Sequence, residues 1–304
     1  MLRAYVDQRR RVAYLDHPLP IAFAHRGGAA HQPENSWPAF EHAAGLGYTH
    51  LETDARATSD GILLAFHDRN LDRVTDRTGR ISRMPYEDVA HARIGGTEPI
   101  PLIEDLLGAW PDHYFNIDLK DVPAIRPMMD VLRRTGAWDR VCVTSFSARR
   151  LHAARALLDR PVCMALSPAG VAALRLTGGV PVAGATLAAR LARAGVHCAQ
   201  VPSGIANGSF IRRAHEAGLQ VHVWTLNRRA DMERALELGA DGVMTDQTVM
   251  LRDLLAERGQ WPSLRVAGTA VRASNERMYR FGSGNGVGPE RNRESCPGIQ
   301  RCRS

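Results

Sequence analysis

Short apolar runs recur along the chain, separated by amphipathic stretches of helical length. The segments at 21–24, 50–55, 114–119, 141–145, 162–166, 198–202, 220–225 and 242–245 predict strands; most are short apolar runs that suit buried strands, and 50–55 sets Leu51 and Thr53 between Glu52 and Asp54. Alanine- and leucine-rich segments at 124–134, 148–158, 208–217 and 230–238 predict helices between them. Gly136, Gly195, Gly218 and Gly239 stop several such segments, as expected of the residue that takes a left-handed C-cap without a steric cost. Strand–helix alternation repeated eight times predicts an α/β fold, a (β/α)8 TIM barrel. An open doubly wound sheet would more naturally carry GxGxxG after its first strand, and none occurs there.

Residues 63–66 read as an extra strand near the second one. Residues 69–100, with Gly79, Pro85, Gly95, Gly96 and Pro99, read as a short excursion before the third barrel unit. The expected organisation is an N-terminal extension at 1–19, a catalytic barrel at 20–258 and a basic tail at 259–304. Glycines, serines and scattered arginines with little apolar periodicity predict a disordered tail.

With 304 residues and 44% hydrophobic content, the chain can bury a full core. The net charge of +7 is uneven: residues 262–304 hold eight Arg and three Glu, or +5, leaving +2 for the rest. The basic balance is a tail property, and no nucleic-acid partner is expected from it. No apolar run approaches the ~18 residues of a membrane span, and no signal peptide is visible, so a cytoplasmic protein is the default expectation. Cys142, Cys163 and Cys198 lie in apolar runs and read as buried thiols of a reducing compartment rather than as a metal pattern. Cys296 and Cys302 lie in the tail at a spacing unlike a zinc ribbon.

The candidate chemistry is concentrated at strand ends. Side chains two apart on a strand share a face, so Glu52 and Asp54 point together and repel each other unless a cation intervenes. Asp118 and Lys120 repeat that spacing at the end of the third barrel strand. Neighbouring parallel strands would gather His25, Arg26, Glu52, Asp54, His67, Asp118 and Lys120 on one rim. Carboxylates without a His–Cys set favour Mg2+ or Ca2+ over zinc. Arg26 and Lys120 suit phosphate oxygens. His25 and His67 suit acid and base work near neutral pH. Gly27 and Gly28 would let backbone approach a phosphate closely. His31, His50 and His222 read as structural, and Asp68 as an orienting group.

The motifs HRGG…PENS, LETDAR, LLAFHD, LDRVTDRTGRIS, IPLIEDLL, NIDLK, VHVWTLN and GADGVMTD, in this order from about residue 20 to 255, resemble the glycerophosphodiester phosphodiesterase family. The resemblance implies a TIM barrel that uses a divalent metal to hydrolyse glycerophosphodiesters to glycerol 3-phosphate and an alcohol. It implies His25 and His67 as the acid/base pair, Glu52, Asp54 and Asp118 as metal ligands, and Arg26 and Lys120 on the phosphate. It further implies that Glu34 and Asn35 shape the floor of the site and that Trp224 forms a wall. This sequence departs from the family pattern in having Asp118 for the usual Glu, Ser36 for Thr, and Gln247-Thr248 for Arg-Pro. Two other readings remain. A lysophospholipase D would need an apolar lip, for which residues 84–103 are the candidate. A barrel that binds phosphorylated ligands without turnover would need a missing reactive group, and none is missing.

Overall fold

The computed structural model describes residues 12–18, 20–176, 189–191 and 193–261. The expected tail from residue 262 onward and most of the expected N-terminal extension lie outside these residues. The strands are β1 (Ile21–Ala24), β2 (His50–Ala57), β3 (Leu63–Ala65), β4 (Arg93–Ile94), β5 (Glu98–Pro99), β6 (Tyr114–Leu119), β7 (Val141–Thr144), β8 (Cys163–Ala165), β9 (Val196–Pro202), β10 (Gln220–Trp224) and β11 (Gly242–Thr245). Eight of them (β1, β2 and β6 to β11) are parallel, and β1 pairs with both β2 and β11, closing a barrel. All eight coincide with predicted strands to within three residues at either end.

Period-two alternation sorts each strand between two buried environments. Leu51, Ala55, Phe115, Ile117 and Leu119 face the surrounding helices, in the layer that also takes Phe40, Leu132 and Leu254. Inside the barrel lie Phe23, Cys142, Cys163, Cys198 and Met244. Local signals fix the helix starts. The side chain of Ser36 accepts from Ala39 N before helix Trp37–Gly45, and that of Asn207 accepts from Phe210 N before Gly208–Glu216.

One region differs from the sequence reading. Residues 12–18 belong to the barrel floor instead of standing apart from it: Tyr14 is fully buried, its carbonyl receives His50 Nε2 at 3.0 Å, and Leu15 O receives Gln220 Nε2 at 3.2 Å. The physical reason is that an open barrel end would leave apolar and polar interior groups wet, and the nearest chain available is the segment entering β1. The excursion after β2 is ordered by a small core of its own, made of Leu64, Phe66, Leu71, Ile81, Val89, Ala92, Ile94 and Ile100. Strand β3, the extra strand expected at residues 63–66, runs antiparallel on β2, and β4–β5 is a short hairpin in the excursion.

Candidate active site

The first βα turn is built on left-handed backbone. Arg26 has φ 50° and Asn35 φ 55°, conformations that non-glycine residues hold only when their surroundings enforce them. Two contacts do so: Arg26 N donates to Glu52 Oε2 at 2.9 Å, and Asn35 N donates to Arg26 O at 2.9 Å. Gly27 and Gly28 have a reason other than the one read from the sequence. A Cβ on Gly27 would lie 2.8 to 2.9 Å from Ala39 and the Phe40 backbone, and one on Gly28 would lie 2.6 Å from Thr248 Cγ2. The glycines let two helices close on the turn.

Register places Asp54 of β2 level with Asp118 of β6. Lys120 Nζ stands between them, 2.7 Å from Asp54 Oδ1 and 2.6 Å from Asp118 Oδ2. Asp54 also receives Asn35 Nδ2 at 2.9 Å and faces Arg26 Nε at 3.2 Å. Burial works against the Lys120 charge, but the two aspartates outweigh it and raise its pKa. Burial likewise opposes ionised Asp54, yet Lys120 and Arg26 win and hold it below the usual range. Glu52 has no such ammonium. Burial pushes it up to about 7, with the His25 charge opposing and the Asp54 charge adding.

These residues fit a hard divalent cation. The donors are carboxylate oxygens, and Asp118 Oδ1 is buried without a hydrogen-bond partner. Among the described residues the three carboxylates do not close to within 4.8 Å of one another as a trio. The ammonium of Lys120 separates Asp54 from Asp118, and an incoming cation would have to share or take that place.

The two histidines are held alike. His25 Nδ1 donates to Asp246 Oδ1 at 2.7 Å, and His67 Nδ1 donates to Asp68 Oδ1 at 2.6 Å. Each pairing fixes the tautomer and leaves Nε2 as the nitrogen able to exchange a proton. Burial lowers the pKa of His25, but Glu52 and Asp246 outweigh it and the net shift is upward. For His67 burial prevails and the shift is downward. Further residues brace both. Asn227 Nδ2 donates to Asp246 Oδ2 at 2.6 Å. Arg73 donates to Asp68 Oδ2 at 2.6 Å and to both oxygens of Glu34, which in turn accepts from Arg26 Nη1 at 3.0 Å. Arg56 Nε holds the His67 carbonyl at 2.8 Å.

His25, Arg26, Glu52, Asp54, His67, Asp118, Lys120 and Trp224 line a single cleft of about 600 Å³. Glu34 and Asn35 do not line it; they reach it through Arg26 and Asp54. Asp246, Arg73 and Asn227 went unassigned in the sequence reading, although each sits inside a motif quoted there. Phe146 carried no signal. It stacks edge-on against Trp224 at 5.3 Å and lies under Lys120 Nζ, 5.5 Å from the ring centre. Beyond Phe146 and Trp224 opens a second cleft of about 670 Å³, lined by Leu166, Val171, Val201 and Ile205.

The sequence profile of the glycerophosphoryl diester phosphodiesterase family matches residues 25–250. The chain is 40% identical over 258 residues to the probable glycerophosphodiester phosphodiesterase 2 of Mycobacterium tuberculosis, covering 82% of this chain and 96% of that one. It is 27% identical over 287 residues to lysophospholipase D GDPD1 of Homo sapiens, covering 82% and 89%. An Oleispira antarctica phosphodiesterase, solved with its product sn-glycerol-3-phosphate, superposes with a TM-score of 0.67 at 22% identity, covering 80% of this chain and 99% of that one. Matched along most of its length, from the turn that carries His25 to the helix that follows Asp246, the chain belongs to the glycerophosphoryl diester phosphodiesterase family.

Proposed function

We propose that this protein hydrolyses glycerophosphodiesters to glycerol 3-phosphate and an alcohol, with His25 and His67 as the acid/base pair. The observation that carries the reading is two aspartate-held imidazoles opening on one cleft with a carboxylate and ammonium cluster. One imidazole takes the proton of the oxygen that attacks phosphorus. The other gives a proton to the departing alcohol oxygen, so that water is consumed and each imidazole is restored over a cycle. Arg26 and Lys120 supply positive charge to the phosphoryl oxygens. Glu52, Asp54 and Asp118 would hold a divalent cation, Mg2+ or Ca2+, whose contribution is further neutralisation of phosphoryl charge. Trp224 bounds the space for the substrate's alcohol. Three unpaired thiols in the core suit a cytoplasmic location, and among the described residues no helix is long and apolar enough to cross a membrane.

Release of glycerol 3-phosphate from a panel of glycerophosphodiesters, with Mg2+ or Ca2+ supplied, tests the reading. Activity on none of them sinks it. His25→Ala and His67→Ala should each lose at least ~100-fold in kcat while the fold is retained.

A second reading, a lysophospholipase D, has a specific observation behind it. The apolar cleft beyond Phe146 and Trp224 adjoins the charged one, where a lipid chain on the alcohol could lie. The lip expected at 84–103 does not supply that surface, because Ile94, Ile100 and Ile103 are buried in cores. Comparing turnover of glycerophosphocholine with lysophosphatidylcholine separates the two. The non-catalytic reading gains nothing, since every reactive group it would need to lack is present in the cleft.

A further inference from the structure

Below the charged cleft, four consecutive barrel strands each point a sulfur or imidazole inward. Thr144, Ala165, Gln200 and Trp224 line the two clefts on β7, β8, β9 and β10. Two residues earlier on the same strands, and so on the same inward face, stand Cys142, Cys163, Cys198 and His222. Strand register makes the first pair direct neighbours, with Cys142 opposite Cys163. The next strand shifts by a bulge and pairs Cys198 with Ala165. The three Sγ atoms lie within 4.8 Å of one another, with Cys142 and Cys198 at 3.9 Å. None of the three is in a disulfide.

We propose that Cys142, Cys163 and Cys198, with His222 as fourth ligand, form a thiolate–imidazole site for one Zn2+ ion in the barrel interior, separate from the carboxylate cluster of the cleft. The spacing supports this on its own terms. Zinc–sulfur bonds of about 2.3 Å in tetrahedral geometry put ligand sulfurs roughly 3.8 Å apart, close to the 3.9 Å between Cys142 and Cys198. His222 is fully buried, its Nε2 meets Gln220 Oε1 at 3.1 Å, and its Nδ1 has no hydrogen-bond partner. Such a ring carries a spare donor nitrogen and already has the outer partner that metal-bound imidazoles use to fix their tautomer. Burial pushes the Cys142 and Cys163 thiols well up, while their hydrogen bonds to Cys198, helped by His222, hold that sulfur well down. Three thiolates and a neutral imidazole around Zn2+ leave a net charge of −1, and binding releases the thiol protons. The chain's linear spacing hides the set, because each ligand comes from a different strand, 21, 35 and 24 residues apart (142 to 163, 163 to 198, 198 to 222).

The test uses the full chain produced in cells supplied with zinc and then dialysed against excess Mg2+, which occupies any hard carboxylate site. Elemental analysis should find one zinc per chain. Protein produced with Co2+ instead should show intense near-ultraviolet thiolate-to-cobalt bands and the ligand-field bands of a tetrahedral centre. Cys163→Ala and Cys198→Ala should lose the bands and bind at least ~100-fold more weakly, since removing a mere supporting partner already costs up to that. Wild-type protein that retains well under one zinc per chain and gives only a weak octahedral cobalt spectrum overturns the proposal without any variant. Cobalt bands that survive either cysteine substitution overturn it too, and bands unchanged in His222→Phe remove the fourth ligand. Failure of this site leaves the phosphodiesterase assay untouched, because none of these four residues lines the cleft.

Discussion

Lys120→Met removes the one ammonium that stands between two buried aspartates. The side chains of Asp54 and Asp118 are only 2% and 5% exposed, so little solvent screening remains once the ammonium is gone. Asp54 keeps Arg26 and Asn35, but Asp118 loses its one cation, and its other oxygen is already without a partner. Breaking a buried pair from one side costs about 3–5 kcal/mol. Urea unfolding followed by far-ultraviolet circular dichroism, in chelator at pH 7, measures that loss against wild type. Adding excess Mg2+ or Ca2+ should shrink the deficit, because the cation takes the ammonium's place and binds the folded state alone. A deficit under ~1 kcal/mol at pH 7 refutes the reasoning.

Other outcomes follow from the same geometry. His50 is fully buried and burial holds its pKa well below the ordinary 6.5, so the unfolded chain binds the proton that the folded one refuses. Stability should therefore be present above pH ~6.5 and fall below it, by up to ~1.4 kcal/mol per pH unit from this residue; His50→Gln should show a shallower acid slope in urea titrations, and an unchanged slope counts against the floor as the acid-sensitive part. Asp246→Asn keeps the shape of the His25 partner but reverses its hydrogen-bond character; kcat should fall ~100-fold or more with the unfolding midpoint nearly unchanged, and a loss confined to KM would contradict the orienting role. Gly27→Ala meets both a positive φ and the Ala39 backbone at 2.9 Å; it should cost more than the ~1–3 kcal/mol of backbone strain alone, read as a lowered midpoint, and a neutral result would mean the helix Trp37–Gly45 yields freely.

Much of the barrel was legible without coordinates. Apolar run length and glycine stops located most barrel strands, because parallel strands buried on both faces are largely apolar and so stand out from amphipathic helices; β2 was marked instead by its alternating carboxylates. The i, i+2 acidic pair and the strand-end histidines announced the cleft for the same local reason: period-two geometry needs no tertiary information. What only the tertiary structure decided are relations between distant segments. Residues 12–18 plug the floor because the barrel has an end to fill. Gly27 and Gly28 are required by the close approach of two helices. Asp246 becomes the partner of His25 across 221 residues, and Arg73 that of Glu34 across 39. Phe146 divides a charged cleft from an apolar one. The inner ring of Cys142, Cys163, Cys198 and His222 exists only once four strands are in register, since side-chain convergence across a barrel depends on shear and closure, which no local pattern encodes.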